Sequence, residues 1–214
     1  MKFTFKIEPD CCPDPAENDM NWKLVSFSRK HVGFQHPDKL FRVTRKHGSL
    51  VFTARDISLR RRLDVGLAFM LSYYEHGECV WFRKGHGGPG TDCRFDGVGH
   101  AGVLLWEHGP SAIGAKTYED RAKDADRFLQ CYTDWCNGHG LSWSGVGDDD
   151  DETQLDSCGG YYDSDVEYLI QDMVTSAREQ LDQDDTWAID PESAYEYQVI
   201  KAFRDAMSEL EHKP

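Results

Sequence analysis

Lys2-Phe3-Thr4-Phe5-Lys6-Ile7 decides the fold class, because apolar and polar residues alternate through it with the period of a half-buried strand. Reading outward, Trp22-Lys23-Leu24-Val25-Ser26-Phe27 is a second strand, and the two opening strands are expected to pair antiparallel. Residues 41–52 read as a hairpin turning at Lys46-His47-Gly48-Ser49. Asp56 is placed to cap a short helix, the apolar run 66–74 closed by Gly77 reads as a strand, and residues 79–82 and 102–106 add two more. Trp81, Trp106, Trp143 and Tyr161 fall on strands at core-facing positions.

Helical spacing takes over toward the carboxyl end. Thr117 with Asp120 three residues on starts a helix that carries Ala122, Ala125, Phe128, Leu129 and Tyr132 on one face and stops at Asn137-Gly138. Residues 141–146 and 153–161 form a hairpin across an acidic turn at 148–152. Residues 165–181 repeat Val166, Leu169, Ile170, Met173, Val174 and Ala177 at helical intervals, and residues 193–210 do the same with Tyr197, Ile200, Phe203 and Met207. The expectation is an α+β protein, a mainly antiparallel sheet with helices packed on it and a helical C-terminus. One domain over 1–182 is followed by a helix in 183–214, packed on it or extending from it.

The 214 residues are 39% hydrophobic, enough to fill a core, and no stretch approaches the roughly 20 apolar residues of a membrane span. Seven cysteines, an odd number outside short loops, fit a reducing compartment, so the expected location is the cytoplasm of a host cell. A formal net charge of -14 disfavours direct nucleic-acid binding by the chain as a whole. That charge is unevenly divided. Residues 23–62 hold eleven Lys or Arg against two acids, 11 − 2 = +9, and from Thr117 onward seven face twenty-five, 7 − 25 = -18. Such runs either solvate helices and turns or make two faces with different partners. On the second reading Arg29, Lys30 and His31 grip phosphate, and Asp148, Asp149, Asp150 and Asp151 belong to an acidic docking surface.

The spacing of Cys11-Cys12, of Cys131 and Cys136, and of His86, Cys93 and His100 lacks the paired couples of a zinc site, so neither metal nor cofactor is expected. The glycines of 85–90 match neither phosphate-loop fingerprint. Acid–base chemistry has better candidates: His76 and His100 as general bases, with Asp96 or Glu75 to orient them. The same residues also suit ordinary turns, and no nucleophile stands out.

Four segments in order, Val25-Ser26-Phe27-Ser28-Arg29-Lys30-His31, Tyr74-Glu75-His76-Gly77, Phe95-Asp96-Gly97-Val98-Gly99-His100 and Leu155-Asp156-Ser157-Cys158-Gly159-Gly160-Tyr161-Tyr162, resemble a family of phage, prophage and plasmid proteins. The serine that follows the family's histidine is missing after His76, its tryptophan is Phe95 and its glutamine is His100. The resemblance implies a mobile-element origin and brings no established reaction. Together these readings favour an accessory protein that binds a host protein through an acidic surface, in counter-defence or host takeover, with self-association open. The alternative is an enzyme acting on a nucleotide or nucleic-acid end, with Arg29, Lys30 and His31 near phosphate and His76, Asp96 and His100 as acid–base groups.

Overall fold

Alternation at the start of the chain becomes β1 (Lys2–Asp10), whose Phe3, Phe5 and Ile7 are buried. After it come β2 (Trp22–Ser26), β3 (Phe41–Lys46), β4 (Ser49–Ala54), α1 (Ile57–Asp64), β5 (Ala68–His76), β6 (Glu78–Arg83) and β7 (Gly97–Trp106). The remainder is α2 (Tyr118–Asn137), β8 (Gly140–Gly147), β9 (Gln154–Tyr162), α3 (Val166–Gln180) and β10 (Thr186–Ile189), with residues 201–207 also helical. This computed structural model describes residues 2–15, 22–88, 96–109, 114–148, 153–181, 185–190 and 201–207. The chain is α+β, with sheets that are antiparallel apart from the parallel β1–β10 pair and one isolated bridge. It divides into two compact units, Met1–Pro13 with Asp134–Pro214, and Asp14–Thr133. The sequence singles out neither dividing point.

In the first unit the strand order is β10-β1-β8-β9. The core of its sheet is Phe5, Ile7, Trp143, Leu169, Met173 and Phe203. Leu169, Met173, Val174 and Ala177 lie on one face of α3 at helical spacing, which is why that helix packs on the sheet. Burying side chains of this size contributes roughly 1.5–3 kcal/mol each. The Asp156-to-Tyr162 segment is explained by packing: the Asp156 carboxylate accepts from Ser176 Oγ at 2.7 Å and Gln180 Nε2 at 3.3 Å, fastening β9 to α3. Gly160 N–H donates to Asp10 Oδ2 at 3.0 Å, and a Cβ on Gly159 would stand 2.5 Å from that oxygen.

In the second unit the order is β2-β7-β5-β6, and β3–β4 make a separate two-stranded ribbon. The ribbon turns through His47 and Gly48, both at positive φ, the two-residue geometry that matches strand twist. Asp56 caps α1 by accepting from Ser58 N–H at 2.8 Å. Thr117 and Asp120 cap α2 reciprocally, at 3.1 and 3.2 Å. Arg83, nearly buried, holds the Asp126 carboxylate through Nε at 2.5 Å and Nη2 at 2.8 Å.

The expected pairing of the two opening strands is corrected. Both edges of β1 are taken, by β8 and β10, and β2 pairs with β7 in another sheet. The charge division follows the units. The second unit holds 18 Lys and Arg against 15 Asp and Glu, 18 − 15 = +3, and the first holds 6 against 23, 6 − 23 = -17. Among the described residues no helix is long and apolar enough to cross a membrane.

Candidate functional site

The site begins at Ser26, fully buried at the end of β2. Its N–H donates to Gly33 O at 3.2 Å, its carbonyl accepts from Gln35 N–H at 2.8 Å, and its Oγ accepts from Ser28 N–H at 3.1 Å. One serine thus closes both ends of the loop that carries Arg29, Lys30 and His31. Gly33 is required there, since its φ is +73° and a Cβ would lie 2.7 Å from Leu24 O. The Arg29 guanidinium sits over the Phe34 ring at 5.7 Å, which directs it along the loop.

The opposite wall is built by β5, β6 and β7. Tyr73 is the cross-strand partner of Trp81, with ring centroids 4.8 Å apart. Between β5 and β7 the register slips, Leu71 facing Gly102 and Tyr73 facing Val98, so that Gly99, His100 and Ala101 bulge opposite Ser72. Ser72 Oγ holds this bulge by donating to Gly99 O at 3.3 Å. Bulges re-aim side chains, and here His100 lies flat against Phe52, 4.2 Å between centroids at 11°.

A cavity of about 350 Å³ results, lined by Phe27, Ser28, Lys30, His31, Tyr73, Glu75, Trp81, Asp96, Val98, His100 and Ala101. His31 stands edge-on to Tyr73 at 4.7 Å and to Trp81 at 5.1 Å. Burial lowers its pKa below the ordinary histidine value, with the Glu75 carboxylate pulling upward and Lys30 downward. Burial, helped by Lys84, pushes His100 down to about 4, and the Lys84 ammonium contacts His100 Nε2. Lys84 is itself lowered by burial. His76 Nδ1 lies 3.4 Å from Asp96 Oδ2 on the exposed rim. Trp81, 3% exposed, has a buried indole N–H with no hydrogen-bond partner among the described residues.

Of the residues picked from sequence, Lys30, His31, Asp96 and His100 share this cavity, Glu75 joins them and His76 is tied to it through Asp96. Arg29 lies on the same loop, against Phe34. Asp148 is exposed and accepts from Lys2 N–H at 3.1 Å, whereas Asp149, Asp150 and Asp151 lie outside the described residues, as do Asp92 and Phe95. Sequence reasoning passed over Tyr73, Trp81, Phe52 and Lys84. The aromatics signal core by their alternation, and they are core; that one face of Tyr73 and Trp81 also lines a cavity depends on the loop folding back from β2. Among the described residues no group of three or more His, Cys, Asp or Glu is gathered for a metal ion. The lining brings together two imidazoles of lowered pKa, the Lys30 ammonium, the Glu75 and Asp96 carboxylates and aromatic walls, groups able to move a proton.

No protein-family model, no curated protein and no solved structure matches the chain.

Proposed function

We propose that the second unit is an enzyme that acts on a nucleotide or nucleic-acid end by histidine and carboxylate acid–base chemistry. The observation that carries this reading is the convergence of Lys30, His31, Glu75, Asp96 and His100, from three separated stretches of sequence, on one cavity. Lys30 faces the phosphate. His31, kept neutral at neutral pH by burial, takes the proton of an attacking water as its oxygen bonds to phosphorus. His76, steadied by Asp96, returns a proton to the departing oxygen at the rim. Tyr73 and Trp81 give the base an aromatic wall. The test is product analysis of end-labelled oligonucleotides and nucleoside monophosphates with the parent protein and with His31→Ala and His76→Ala. Removing either proton carrier lowers turnover by about 100-fold or more. Parent turnover equal to that of His31→Ala would overturn the assignment.

A second reading, docking of the first unit to a host protein, is favoured by that unit's -17 balance. Against it, the carboxylates of Asp10, Asp134, Asp156 and Asp172 are engaged within the unit's own fold. The cavity therefore carries the conclusion.

A further inference from the structure

Within the second unit cations gather on and before the β3–β4 ribbon and on α1, among three acids, Asp38, Asp56 and Asp64. Lys39, Arg42, Arg45 and Lys46 on and before the β3–β4 ribbon, and Arg60 and Arg61 on α1, are exposed. None of the six is ion-paired to a described carboxylate. Arg55 and Arg62 nearby are instead fixed on the backbone carbonyls of Phe41 and Trp106, as structural arginines are. Neighbouring cations that meet no described carboxylate repel one another, and a polyanion would relieve that repulsion. The ribbon is six residue pairs long, about 20 Å, close to the run of six stacked nucleotides at ~3.4 Å each. It also carries the exposed apolar side chains Leu50 and Val51, 46% and 38% accessible, which suit base faces better than water. Finally, the ribbon joins the cavity: Phe52 of β4 stacks on His100 and, at 5.9 Å and 7°, on Phe27.

We propose that the β3–β4 ribbon and α1 form an arm that tracks the backbone of a single-stranded nucleic acid, whose end enters the cavity. The substrate is then a strand terminus and not a free nucleotide. The entry of the end rests on the reading of the cavity as the working site; the grip of the arm does not.

Fluorescence anisotropy of a labelled single strand of about 12 nucleotides, from roughly 50 to 200 mM salt, tests it. The parent protein binds, with log affinity falling linearly in log salt. Arg42→Glu/Arg45→Glu/Lys46→Glu weakens binding at least tenfold, and its salt slope shrinks by about 0.7 per cation removed. Arg60→Glu/Arg61→Glu, on a different element, gives the same direction and guards against misfolding of the ribbon. Saturating free nucleoside monophosphate leaves arm binding in place. Unchanged affinity in both charge-reversed variants overturns the arm, as does tighter binding to the matching duplex than to the strand. An oligomer in light scattering that dissociates in these variants while strand affinity holds assigns the surface to a second copy instead, and also overturns it. Strand binding lost in both variants, with His31→Ala leaving products unaltered, upholds the arm and rejects the catalytic reading.

Discussion

The His31 imidazole stands edge-on to the Trp81 indole, 5.1 Å between ring centroids at 78°, and the buried indole N–H has no acceptor among the described residues. A buried donor without a partner costs about 1–3 kcal/mol. Trp81→Phe should therefore keep unfolding free energy within about 1 kcal/mol of the parent, the removed orphan donor offsetting the lost volume. Nucleotide affinity should fall as the cavity wall loses the wider indole, read by isothermal calorimetry.

His100 titrates at about 4, pushed down by burial first and by Lys84 second. Between the ordinary value near 6.5 and that figure, the unfolded chain takes up a proton that the folded protein refuses. Stability falls as pH falls through this window and levels off below it. Imidazole resonances followed by NMR should show His100 neutral at pH 5, and Lys84→Met should move its midpoint up by less than the whole shift, because burial remains.

His31 is the proposed base, and its lowered pKa has a kinetic consequence. The acidic limb of kcat/KM should lie below pH 6.5 and move upward in a variant that opens the aromatic wall, such as Tyr73→Ala, because desolvation is the largest cause of the shift. Rates measured across pH 4 to 8 give that limb directly.

Gly33→Ala places a Cβ 2.7 Å from Leu24 O at a φ of +73°. Strain of about 1–3 kcal/mol falls on the loop that carries Lys30 and His31. Turnover should drop at least tenfold while circular dichroism in the helical region stays unchanged.

Asp172 accepts from Tyr161 OH at 2.5 Å and from Trp143 Nε1 at 3.1 Å in the first unit, and with burial this bond raises the Tyr161 pKa far above the usual phenol range. Asp172→Ala leaves both donors without that acceptor and should cost about 3 kcal/mol in urea unfolding. Activity of the folded fraction should be unaltered.

Period-two and helical spacing made most elements legible: the 41–52 hairpin with its turn at Lys46 to Ser49 is the β3–β4 ribbon, and the Thr117–Asp120 cap starts α2. Local patterns could not reveal partners distant in sequence. The register of β1 with β8 joins residues more than a hundred positions apart, which no alternation encodes. At the site, Asp96 and His100 are legible as residues that move protons, and His31 only as one that grips phosphate. Their meeting depends on Ser26 closing a loop and on a bulge opposite Ser72, both tertiary events. Trp81 reads as core because burial and cavity lining leave the same mark in a sequence, and Tyr73 falls in a run legible only as a strand.

The most direct test is the Trp81 indole N–H signal, assigned by its loss in Trp81→Phe and followed by NMR during titration with a nucleoside monophosphate. A saturable shift of that signal is expected, with His31 and His100 resonances moving at the same midpoint. Saturation that moves signals elsewhere while Trp81, His31 and His100 stay in place would contradict it.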